Sequence, residues 1–141
     1  MENEYIYIIQ MGNTSYYKIG KAKDIEQRLK SLQTGNPLPL TCVTSFKTTK
    51  KYVREFEQIF HTELAYCKCC GEWFNFNHNE IQDLIMLSLQ NASYWTDFDF
   101  IVVKTRLEYI ANRTIKIALQ NKKTTTNNKT LLSFLFKKNN K

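Results

Sequence analysis

Residues 5–9, Tyr-Ile-Tyr-Ile-Ile, are all β-branched or aromatic, and Tyr16, Tyr17 and Ile19 repeat that bias after Met11, Gly12, Asn13, Thr14 and Ser15, a run rich in turn formers. Two strands joined by a turn is the pattern this predicts. The period then changes. Asp24 stands at an N-cap position with Gln27 three residues on, and Ile25, Leu29 and Leu32 recur at helical spacing. Gly35, Pro37 and Pro39 end that helix, because two prolines and a glycine in five residues cannot prolong it. A third strand is expected over 40–46, where Thr41, Val43 and Thr44 supply β-branched positions. Thr48 or Thr49 is the expected cap of a second helix with the stripe Val53, Phe56, Phe60 and Leu64.

Beyond residue 66 the signals weaken and then recover. Gly71 marks a turn, and Trp73, Phe74 and Phe76 are expected to close the domain against the sheet. Asn77 with Glu80 reads as a capping pair that starts a helix over about 78–91, with Ile81, Leu84, Ile85 and Leu89 turned inward. Thr96, followed by Asp97 and Asp99, is the expected start of a long helix with the stripe Val103, Leu107, Ile110, Thr114 and Ile117. Residues 122–128 are polar and low in complexity, a linker by default, and 131–136 form a short apolar end flanked by lysines. These patterns predict an α+β fold, a small three-stranded antiparallel sheet flanked by helices, with a C-terminal helical extension. The expected divisions are a domain over 1–76, the extension over 77–121 and a basic, flexible tail over 122–141.

Composition changes that picture in two ways. The chain of 141 residues carries a net charge of +7, but up to residue 103 there are 10 Lys and Arg against 12 Asp and Glu, and from 104 on there are 10 against 1. A basic end on a near-neutral body points to phosphate backbones as partner, with a plain solvated lysine-rich tail as the alternative. No apolar run approaches the roughly 20 residues that span a bilayer, and the acidic start, Met1 to Glu4, resembles neither a secretory signal nor a transit peptide. An intracellular, reducing setting is therefore expected, and four cysteines with three crowded at 67, 69 and 70 agree with it. Cys67, Cys69 and Cys70 do not have the paired spacing of a zinc knuckle, and adjacent residues in an extended segment point oppositely.

The order Tyr7 within Tyr-Ile-Tyr, Lys18-Ile19-Gly20 after a gap, and Arg28 eight residues beyond that glycine resembles the GIY-YIG nuclease superfamily. Thr34-Gly35-Asn36-Pro37, Glu57 with His61, and Gly71-Glu72-Trp73-Phe74 extend the resemblance to the branch found in phages, large DNA viruses and bacteria. Tyr5 replaces the first glycine of the pattern, and Lys18 stands where a tyrosine is usual. The resemblance implies a metal-dependent endonuclease that hydrolyses DNA phosphodiester bonds. Tyr7 would position or deprotonate water, Arg28 would grip the phosphate, and Glu57 would hold Mg²⁺ or Mn²⁺, with no other small-molecule cofactor. A guanidinium can bond two phosphate oxygens at once, and a single carboxylate suits an ion that keeps most of its waters. Lys18 is expected to act on Tyr7 across the hairpin, His61 to take part in proton transfer or touch the phosphate, and Glu72 to be a candidate second acid. Lys21, Lys104, Arg106, Arg113 and Lys116 are the expected nucleic-acid contacts. The alternative is a DNA-binding or regulatory module on the same fold without turnover, and a weaker one an adaptor that docks through 131–136.

Overall fold

In the computed structural model the backbone is described for residues 3–91 and 97–139, and side chains for 3–90 and 101–123. The expected hairpin is β1 (Asn3–Met11) and β2 (Tyr16–Ala22), paired antiparallel with Tyr7 opposite Gly20 and Ile9 opposite Lys18. Helix α1 (Ile25–Gln33) starts where the sequence places it, the Asp24 carboxylate accepting from the Gln27 amide at 3.1 Å. Strand β3 (Leu40–Thr49) pairs with the other edge of β1. It runs three residues past the expected end because its ladder continues to Asn3 opposite Thr49. Thr48 and Thr49 are therefore strand residues and not caps. Helix α2 (Val53–Glu63) begins after Tyr52, without a side-chain cap, and buries Val53, Phe56, Phe60 and Leu64 as the stripe requires.

The sheet is larger than three strands. After a short 3-10 turn (Ala65–Cys67), β4 (Lys68–Cys70) and β5 (Trp73–Asn75) form a tight hairpin around Gly71, whose φ of 57° is the left-handed region that glycine tolerates best. The strand order is β3-β1-β2-β5-β4. Only residues 16–18 of β2 pair with β5, so the outer edge of β2 is left by its neighbour before the strand ends.

Helix α3 (His78–Asn91) carries the reciprocal cap foreseen at its start: the Glu80 amide donates to Asn77 Oδ1 at 2.8 Å and the Asn77 amide to Glu80 Oε1 at 3.0 Å. Glu80 is buried and also accepts from the Tyr66 hydroxyl at 2.5 Å and the Cys67 thiol at 3.2 Å. Burial, aided by that carboxylate, pushes the Cys67 thiol up to about 12 and raises the Tyr66 phenol as well. Cys67 is thus an inert thiol, and among the described residues no cysteine joins a cluster able to hold a metal. The inward face of α3 differs from the expected one: Leu87 is buried and Leu89 is 64% exposed. Ser88 explains the rotation, since its hydroxyl bonds Thr44 on β3 and turns the last helical turn toward that strand.

Helix α4 (Asp97–Asn139) packs on α2 and α3 through Val103, Leu107 and Ile110, while Ile117 at the end of the expected stripe is exposed. Its backbone stays helical through 122–128, where composition suggests a linker. The expected cap at Thr96 and the side chains of Asp97, Asp99 and 131–136 lie outside the described residues. Among the described residues no helix is long and apolar enough to cross a membrane.

Two cores result. Ile6, Ile8, Ile19 and Phe46 face α2, α3 and α4, whereas Tyr7, Ile9 and Leu40 face α1 with Leu29 and Trp73. Leu87→Ala is expected to cost about 2–5 kcal/mol in urea denaturation and Leu89→Ala less than about 0.5 kcal/mol; equal costs would contradict the observed rotation of α3.

Candidate active site

Tyr7 and Gly20 are cross-strand partners, so the phenol lies over the glycine. A β-carbon built at Gly20 would overlap the Tyr7 hydroxyl and stand 2.6 Å from its Cζ. The missing side chain is what lets the phenol cross β2, the use of a strand glycine where another group must approach closely. Tyr7 is fully buried, and its hydroxyl has no hydrogen-bond partner among the described residues. Nevertheless it opens onto a cavity of about 560 Å³ whose lining also includes Lys21, Arg28, Glu57 and Glu72.

That cavity gathers residues from both faces of the sheet. Arg28 comes from α1, held at its C-terminal end by Gln33, whose amide donates to Leu38 O at 2.9 Å and whose Oε1 accepts from the Leu40 amide at 2.8 Å. Glu57 comes from α2 on the opposite face. The two meet because β5 leaves β2 after Lys18, so α2 side chains reach round the open edge. At Ile19 that edge is finished by other groups: its amide donates to Glu72 O at 3.1 Å, and its carbonyl takes the Nε2–H of His61 at 2.9 Å. A carbonyl can only accept, so His61 carries its proton on Nε2, and in the neutral ring Nδ1 keeps the lone pair. The Phe74 ring, edge-on at 5.1 Å, holds the imidazole from its side.

Charge is closely balanced here. The Arg28 guanidinium is held above its ordinary value first by the Tyr7 phenol beside it and then by Glu72 and Glu57. The Tyr7 and Arg28 groups attract without reaching full hydrogen-bond geometry, since the phenol oxygen remains unpartnered. Lys18 is on the same face of the hairpin as Tyr7, as expected, but its ammonium does not line the cavity. It pairs with Glu72 at 2.9 Å and sits 5.7 Å from the centre of the Trp73 ring. Ligand atoms of Glu57, His61 and Glu72 all lie within 4.8 Å of one another, which suits a divalent cation in donor type and spacing.

Of the residues singled out from the sequence, Tyr7, Arg28, Glu57 and Lys21 line one cavity, and His61 and Lys18 stand immediately behind it. Lys104, Arg106, Arg113 and Lys116 do not join them. Lys104 lies against the Glu55 and Glu63 side of α2, Arg106 beside Tyr109 and Asp83, Arg113 is paired with Asp83 at 2.8 Å, and Lys116 is exposed. Sequence reasoning underrated two residues. Gly20 was legible only as a motif letter, and Glu72 was masked by its neighbours Trp73 and Phe74, which look like core anchors and are buried or half-buried.

The family model of the T5orf172 domain matches residues 4–88, more than half of the chain and all of the sheet but its first residue, with α1, α2 and most of α3. Comparison with curated proteins gives no match, and comparison with solved structures gives none either.

Tyr7→Phe removes a buried hydroxyl that lacks a partner, so stability is expected to hold or to rise by about 1 kcal/mol in thermal unfolding. Gly20→Ala should lower it by about 1–3 kcal/mol through overpacking against the same ring. A large loss in the first variant, or none in the second, would contradict the crossing described.

Proposed function

The chain belongs to the T5orf172 family, a phage-associated domain reported in a nuclease context, and from that premise we propose that it is a metal-dependent endonuclease hydrolysing DNA phosphodiester bonds. The observation that carries the reading is the convergence of Tyr7, Arg28 and Glu57, from three elements and both faces of the sheet, on one open cavity. Cutting a phosphodiester requires an oriented water, neutralisation of charge gathering on the non-bridging oxygens, and a stabilised leaving oxygen. Arg28 is exposed at the cavity, fully protonated and planar, fitted to bond two non-bridging oxygens together. Lys21 adds a second positive charge on the same wall.

Tyr7 offers the water its oxygen. That hydroxyl makes no full hydrogen bond among the described residues and is attracted only by the Arg28 guanidinium, so it can turn to a water aligned behind the phosphorus. Its rigid burial fixes the direction of approach. Glu57 would hold Mg²⁺ or Mn²⁺, an ion that takes its remaining ligands from water and substrate phosphate. When bound, the cation supplies Lewis-acid stabilisation of the departing oxygen. Lys18 acts at one remove, through Glu72, since its ammonium is committed to that carboxylate.

Supercoiled plasmid incubated with the purified chain and Mg²⁺ or Mn²⁺ is expected to be nicked. Arg28→Ala should slow nicking by about a hundredfold or more, the scale of losing one charge-stabilising donor, and Tyr7→Phe and Glu57→Gln should abolish it. Binding that is independent of metal, without nicking, would instead identify a DNA-binding module on the same fold.

A further inference from the structure

Glu57 alone would give the cation a single protein ligand, yet two more donors stand beside it. Ligand atoms of Glu57, His61 and Glu72 fall within 4.8 Å of one another. Both carboxylates line the cavity into which the unpartnered, fully buried Tyr7 hydroxyl opens. His61 is prepared in the manner of a metal-ligating imidazole: such a ring donates its other N–H to a carbonyl or carboxylate, which fixes the tautomer and the ring plane. Here the Nε2–H goes to the Ile19 carbonyl at 2.9 Å and the ring is braced by Phe74, leaving Nδ1 as the atom with a lone pair.

We propose that Glu57, Glu72 and His61 form one divalent-cation site, and that Lys18 competes with the cation for Glu72. The site rests on the endonuclease reading and deepens it by naming the ligand set and what regulates it. A nitrogen donor beside two carboxylates favours Mn²⁺ over Mg²⁺, because Mn²⁺ is the softer ion and accepts an imidazole among its oxygen ligands, whereas Mg²⁺ prefers oxygen and holds its waters tightly. The Lys18 ammonium, 2.9 Å from a Glu72 oxygen, must yield some of that contact when the cation arrives. It therefore weakens cation binding through Glu72, and it keeps the two carboxylates from repelling one another when no cation is present. The Glu72 side chain is 42% exposed, so it has freedom to turn between the two positive partners.

The test is Mn²⁺ binding by the full chain without DNA, followed by electron paramagnetic resonance and by competition with Mg²⁺. Glu57→Gln, Glu72→Gln and His61→Gln are each expected to weaken Mn²⁺ by about tenfold or more, with His61→Gln also erasing the preference over Mg²⁺. Lys18→Met should tighten Mn²⁺ binding in the natural sequence and have no effect in the Glu72→Gln background, the signature of a residue acting through its neighbour. Circular dichroism checks that each variant is folded; Glu72, being half-exposed, carries the test even if the His61 variant is not. Unchanged affinity in Glu72→Gln, with loss only in Glu57→Gln, would overturn this ligand set and leave the endonuclease reading intact. So would a gain from Lys18→Met that persists without the Glu72 carboxylate. A chain that takes up no Mn²⁺ at millimolar concentration would overturn it as well, whereas failure of the endonuclease reading would be seen separately as plasmid left uncut in the presence of the metal.

Discussion

A phenol can cross a β-strand only where that strand carries no side chain. In this protein Gly20 supplies the gap, and the position of everything else in the site follows from it. Tyr7 belongs to the core that faces α1, while Glu57 and His61 belong to a helix on the opposite side of the sheet. They share a cavity because two features coincide at one point of β2: the glycine, which lets the ring through, and the departure of β5, which opens the edge. Loss of either would leave the same residue types on separate faces. The Tyr7 hydroxyl is buried without a hydrogen-bond partner among the described residues, an arrangement that costs stability on the order of 1 kcal/mol. Such a cost is characteristic of functional sites, where a polar group is held ready for something that the folded chain does not itself provide.

The charges around the cavity obey a similar economy. Arg28 and Lys21 present positive charge to the opening, Glu57 and Glu72 lie behind it, and Lys18 holds one of the two carboxylates. Two close carboxylates without a counter-ion would disfavour each other's ionised form. Lys18 relieves this by pairing with Glu72. That pair lies on the approach to β5, and the Lys18 ammonium does not line the cavity.

Local signals in the sequence were strong where a single element decides the outcome. Asp24 with Gln27 and Asn77 with Glu80 fix the starts of α1 and α3, and both caps form with the expected atoms. Phe56, Phe60 and Leu64 mark the buried face of α2. The signals failed where pairing decides. Thr48 and Thr49 have the chemistry of helix caps, but the ladder with Asn3 and Glu4 claims them for β3. Three-residue strands such as β4 and β5 are too short to show a period, and Leu87 replaces Leu89 in the core because of Ser88's bond to a distant strand. The same division holds for the site. Tyr7, Arg28 and Glu57 were legible from residue order and resemblance to a nuclease superfamily. Their meeting round an edge was not, since it depends on where β5 stops pairing.

Lys104, Arg106 and Arg113 lie where α4 meets α2 and α3, and none of them lines the cavity that holds Arg28. A nucleic acid gripped at Arg28 and one lying along α4 would therefore occupy different surfaces. The most direct measurement is a crystal structure of the chain with a short DNA duplex and Mn²⁺, with the metal located by anomalous scattering. The expected result is one Mn²⁺ peak bonded to Glu57 and a backbone phosphate within hydrogen-bond reach of both Arg28 and the Tyr7 hydroxyl. A duplex lying along α4, with neither phosphate nor metal in the cavity over Gly20, would contradict it.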